Sequence, residues 1–156
     1  VNPDSAIVPA AAPAGLVLVD TSAYEQIKHR PEAADRYTNL AARGLLATCN
    51  VVSGEVLYSM TGLEAIRAMR ATLEGLWYLP LTEWAEARAI DTLVKLAERG
   101  RHRAAKVGDL QIAAIAEQYR ATLLHYDQDF DDIAEVTGQP TEWIVPRGSG
   151  HGGSAN

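Results

Sequence analysis

Leu16-Val17-Leu18-Val19-Asp20-Thr21-Ser22 decides how the rest of the chain is read. Four apolar residues without alternation predict a strand covered on both faces, as in a parallel sheet. The run ends on an acid and two hydroxyl residues. Ser22 followed by Glu25 predicts a capping box, opening a helix that fades near His29, before Pro31. Outward from there the same alternation recurs. A second helix is expected over 31–42, stopped near Gly44, and Leu45 to Cys49 is expected as a strand. Asn50 or Ser53 then opens a helix carrying Glu55; Thr61-Gly62 interrupts it, and 63–73 continues helically. Leu76 to Leu79 is the third strand, closed by Pro80.

Thr82 caps the longest helix, 83–99, with Trp84, Ala87, Ile90, Leu93, Val94 and Ala97 as its expected apolar face. A helix over 108–118 leads to a strand at Thr122 to Leu124, then a turn and short helix over 127–137, and a last strand at Thr141 to Val145. This order predicts a three-layer α/β/α fold with a mostly parallel central sheet of four or five strands and right-handed crossovers.

A length of 156 residues suits one domain, and 47% apolar content supports a packed core over disorder. The domain is expected at 16–145. It lies between a flexible lead-in, 1–15, and a flexible Gly/Ser-rich tail, 146–156. Ile7 to Gly15, IVPAAAPAG, lacks the charged start and unbroken apolar run of a signal peptide. Val145 to Ser149, VPRGS, resembles part of an engineered protease site. No window approaches the length of a membrane span, so no membrane contact is expected. The single cysteine, Cys49, reads as a core residue and fits a reducing compartment; a cytoplasmic location is expected. With 14 basic against 20 acidic residues, the net charge of -6 excludes a uniformly basic nucleic-acid coat. A local basic patch beside an acidic centre remains open.

The residues that carry chemistry are Asp20, Glu55, Asp109, Asp127 and Asp129. Each falls at a strand end or in an early helical turn, and in an open α/β sheet the carboxyl edge of the strands collects such positions in one crevice. Carboxylates gathered there repel one another unless a cation sits between them. A hard divalent ion with oxygen ligands, magnesium or manganese, answers that need. It would support hydrolysis of a phosphodiester. Taken singly, Asp109 also reads as a helix cap, Asp129 as a cap of the helix after it, and Asp131 and Asp132 as surface charges. Glu55 interrupts an apolar helix start, VVSGEVLY, and is expected to face inward. Thr21 and Ser22 can position a water or phosphate, with Ser22 also read as a cap. His125 reads as structural, Trp77 as core, and Trp84 is left open between core and interface.

These motifs resemble the PIN-domain ribonucleases, and more narrowly the VapC-type toxins of bacterial toxin–antitoxin pairs. LVLVDTS carries the first acid, Asp20; NVVSGEVLY the second, Glu55; GDLQIAAIA the third, Asp109; and TLLHYDQDF the fourth, Asp127, with Asp129 as accessory acid. The resemblance spans residues 16 to 145 and implies a PIN-like fold. It implies a magnesium- or manganese-dependent endoribonuclease acting on tRNA or rRNA to stop translation. In such a site Asp20, Glu55, Asp109 and Asp127 are catalytic and, with Asp129, hold the metal. It also implies a homodimer and a cognate VapB-type antitoxin that inserts a segment into the site; operator DNA would be met only through that complex.

Arg99, Arg101, Arg103 and Lys106 form a basic stretch just before Asp109, suited to RNA phosphates, with Lys28, His29 and Arg30 as a smaller second patch. The alternatives are a metal-dependent phosphatase or DNA nuclease, and a noncatalytic RNA-binding or regulatory protein of the same fold.

Overall fold

The computed structural model describes residues 12–148. The expected lead-in and tail therefore lie largely outside the described residues. The elements run in the order β1 (Val17–Val19), α1 (Thr21–His29), α2 (Pro31–Ala42), β2 (Leu46–Thr48), α3 (Asn50–Tyr58), α4 (Leu63–Glu74), β3 (Trp77–Tyr78), α5 (Glu83–Glu98), α6 (Val107–Gln118), β4 (Thr122–His125), α7 (Gln128–Thr137) and β5 (Thr141–Trp143). The five strands form one sheet in the order β3-β2-β1-β4-β5. Every pairing is parallel. The fold is therefore α/β, with the sheet wholly rather than mostly parallel.

β1 is the central strand, buried at all its positions, which is what an unalternating apolar run requires. Its register aligns Val19 with Leu124 of β4, and the amide of Asp20 donates to Leu124 O at 2.9 Å. Asp20 is thereby fixed at the carboxyl edge, level with the end of β4. The core joins Leu18, Val19, Leu123 and Leu124 of the sheet to Val52 of α3, Ile112 and Ile115 of α6, and Phe130 and Ile133 of α7. α7 ends on Gly138 at φ 77°, a left-handed cap that suits glycine.

Several local expectations are corrected. The N-cap of α1 is Asp20, whose carboxylate accepts from Ser22 N. Ser22 and Glu25 make no capping box; Glu25 pairs with Lys28. The acid wins because its side chain already points back over the first turn. In α5 the buried face is Ala85, Ala89, Thr92 and Leu96, whereas Ile90 and Val94 are exposed. Small residues on that face let α5 approach α6 closely. Trp77 is half-buried, its Nε1 donating to Gly44 O, because β3 is an edge strand. Trp84 is half-buried. The interruption expected at Thr61-Gly62 is present: Gly62 at φ 92° precedes α4 and separates it from α3.

Because Leu124 is fully buried between β1 and β5, Leu124→Ala should lower stability by about 2–5 kcal/mol. In urea denaturation the midpoint should fall with the slope unchanged. An unmoved midpoint would contradict the packing described.

Candidate active site

Each acid owes its place to a local device. Asp20 follows the central strand and is only 4% exposed. Its Oδ2 accepts from Ser22 N at 2.8 Å and Ser22 Oγ at 2.5 Å. Ser22 Oγ in turn accepts from Tyr126 N at 2.9 Å. One hydroxyl thus ties the first acid to the loop that presents the fourth. Asp127 caps α7, its Oδ1 accepting from Asp129 N at 3.0 Å, so Asp127 and not Asp129 is the cap. The amide of Asp127 donates to His125 Nδ1 at 3.2 Å. Asp109 accepts from Lys106 N at 2.9 Å at the start of α6 and so both caps the helix and joins the acid set.

Glu55 does not face inward. On α3 the buried positions are Val52 and Val56, and Glu55 lies on the exposed side. Its Oε2 accepts from Thr21 Oγ1 at 2.7 Å. Its Oε1 would lie 3.0 Å from a Cβ at Gly108, so the absent side chain there lets α6 and α3 close on the carboxylate. The sequence reading missed this contact, for which Gly108 beside Asp109 was the only signal.

The charges act on one another in a connected set. Burial raises the Asp20 carboxyl above its ordinary range; the Ser22 and Thr21 hydrogen bonds oppose this, and Glu55 adds to it. Burial pushes Asp109 up to about 6, with Asp20 and Asp129 adding to the rise and the Lys106 amide and ammonium opposing it. Asp129 is raised by burial, then by Asp127 and Asp132, against Lys106. Glu55, Asp20, Asp109, Asp129 and Asp127 are therefore electrostatic neighbours, although they come from four separate parts of the chain. Among the described residues no three carboxylate, imidazole or thiol groups form a ready-made cage for an ion. The candidate donors are all carboxylate oxygens, the donor type that a hard divalent cation takes.

Other sequence expectations resolve as follows. His125 is fully buried between Phe130 and Trp143, and burial lowers its pKa. Cys49 is buried and its thiol is pushed up to about 11, an unreactive core residue. Asp131 and Asp132 are not free surface charges: Asp131 accepts from Trp143 Nε1 at 3.1 Å, and Asp132 pairs with Arg101. Arg101 and Arg99 both pair with Glu135 of α7, so two members of the basic stretch are already engaged. Arg103 and Lys106 are exposed. A cleft of about 500 Å³ between α3, α4 and β3, lined by Leu57, Leu73, Leu76, Tyr78, Arg70 and Glu74 among others, includes none of the five candidate site acids.

The family model for the PIN domain matches residues 17–136. Ribonuclease VapC18 of Mycobacterium tuberculosis is 39% identical over 133 residues, covering 84% of this chain and 96% of that protein. The chain belongs to the PIN-domain family, among the VapC ribonucleases. Solved VapC-containing structures share its architecture. VapBC-5 of M. tuberculosis, described as a member of the VapBC family of toxin-antitoxin systems, matches with a TM-score of 0.55 at 30% identity, covering 86% of this chain and all of that one. VapBC2 of Rickettsia felis, solved bound to a DNA fragment from its promoter, matches with a TM-score of 0.68 at 17% identity, covering 82% of this chain and 98% of that one. The second likeness concerns the fold alone.

Within this acid set Asp109 is held above its ordinary value of 3.8. Its contribution to stability is therefore present below that value and is lost as pH rises through about 6. In metal-free protein, Asp109→Asn should be more stable than wild type near neutral pH, and the difference should vanish on acidification below about pH 4. Thermal melts of both proteins across that range check it. A variant less stable at neutral pH would contradict the crowding.

Proposed function

We propose that the chain is a toxin-type endoribonuclease that hydrolyses RNA phosphodiester bonds with a divalent metal and is neutralised by a cognate VapB-type antitoxin. The observation that carries this reading is the acid set at the carboxyl edge, in which Asp20, Asp109 and Asp129 are each held high by burial and by neighbouring carboxylates. Such a set is costly to keep unless a cation discharges it.

Asp20, Glu55, Asp109, Asp127 and Asp129 would hold Mg2+, with Mn2+ as a substitute. When bound, the ion would acidify a water and offset charge on the phosphoryl group. The chain's own residues do the rest. Ser22 fixes Oδ2 of Asp20. Thr21 orients the Glu55 carboxylate through Oε2. Phosphates of the strand fall to Arg103 and Lys106 rather than to Arg99 and Arg101, which α7 occupies. The RNA is a tRNA or rRNA, whose loops offer exposed bases. The protein works in the cytoplasm as a homodimer, and operator DNA is met through the antitoxin complex. No helix among the described residues is long and apolar enough to cross a membrane.

Asp20→Asn and Asp109→Asn should each fold and should each cut RNA more slowly by more than the roughly 10–100-fold that loss of an outer-shell partner costs a metal site. EDTA should stop wild-type cleavage and Mg2+ should restore it, with DNA and small phosphomonoesters left intact. A wild-type rate in either folded variant would contradict the assignment. Mapping of cellular RNA ends after brief expression should give one dominant cut site in tRNA or rRNA.

A further inference from the structure

Beside the acids lies a set of rings and two arginines, Arg30 and Arg147, that the chemistry above leaves unused. The Arg30 guanidinium sits 5.0 Å from the ring centroid of Tyr126 and donates to its hydroxyl at 3.3 Å. Tyr126 meets Trp143 edge-on, with centroids 5.2 Å apart at 82°. Trp143 is held in turn by Asp131, which accepts from its Nε1, by the His125 ring at 5.1 Å between centroids, and by Arg147, whose guanidinium lies 5.7 Å from its centroid. Arg30, Tyr126 and Trp143 are each half-buried, so each keeps part of its surface in solvent.

Their position decides what they can do. Tyr126 immediately precedes Asp127, and its amide reaches Asp20 through Ser22 Oγ. Trp143 is aligned with His125 at the end of the sheet. The cluster therefore adjoins the carboxylates at the carboxyl edge, on the β5 side. The Arg103 and Lys106 side chains belong to the segment before α6 instead. An arginine backed by a tyrosine ring is a weakly hydrated cationic plane. Unpaired bases stack on such planes and on aromatic rings, and paired bases cannot.

We propose that Arg30, Tyr126 and Trp143 form the subsite that receives an unpaired base of the RNA next to the bond being cut. This deepens the ribonuclease reading and rests on it. The subsite selects single-stranded or looped RNA by stacking, while the acids act on the backbone. Tyr126 contributes its ring more than its hydroxyl, so phenylalanine should serve in its place.

The test uses full-length protein carrying Asp109→Asn, so that the probe survives. The probes are a fluorescein-labelled single-stranded RNA and an abasic strand of the same length. Without further change the protein should prefer the base-bearing strand. Adding Tyr126→Leu should weaken that binding about ten-fold or more, in line with loss of one stacking ring, and should leave the abasic strand unaffected. Tyr126→Phe should restore the preference, which a role in folding alone would not explain. Arg30→Gln should reduce it without removing a core side chain. If Tyr126→Leu and Arg30→Gln keep the full preference, the cluster is packing or a protein-docking face and the proposal falls. If wild-type protein cuts no RNA and the parent binds neither strand, the ribonuclease reading itself fails, which is a separate outcome.

Discussion

Carboxylates brought together at one sheet edge repel each other, and the rest of the structure is arranged around keeping them there. Asp20 is almost wholly buried and Asp109 partly so; Glu55 raises the proton affinity of Asp20, and Asp20 raises that of Asp109. Lys106 offsets part of this for Asp109 and Asp129. That one ammonium does not cancel the rise, since Asp109 and Asp129 both remain above the ordinary carboxylate value.

The means of enforcement are small and local. Ser22 Oγ joins Asp20 to the Tyr126 amide, so the ends of β1 and β4 cannot drift apart without breaking a hydrogen bond to the first acid. Thr21 and Gly108 set Glu55 from two sides, one by a bond and the other by leaving room. Asp127 is fixed by capping α7 while its amide donates to His125. A carboxylate that caps a helix through one oxygen is held still, and its other oxygen is not used by the cap.

Much of this was legible in the sequence. Unalternating runs such as Leu16 to Val19 announce strands buried on both faces, and the acids stand where strands end and helices begin. What stayed hidden depends on partners distant along the chain. The face of α5 could not be read because apolar residues occupy two stripes, and only packing against α6 selects Ala85, Ala89, Thr92 and Leu96. The basic stretch at Arg99 to Lys106 carries no acid of its own, so nothing local betrays that Asp132 and Glu135 engage two of its arginines. Glu55 was assigned to the wrong side because its neighbours are apolar, although the helical period places Val52 and Val56 inward without it. Arg30 and Tyr126, 96 residues apart, meet only in the fold.

The central claim is that the acids share one divalent ion. Anomalous diffraction from crystals grown with Mn2+ measures this directly. The account predicts a strong peak coordinated by at least Asp20 and Asp109, with waters completing its shell. Crystals whose acid edge is open to solvent but shows no peak at saturating Mn2+, or a peak held by other residues, would contradict it.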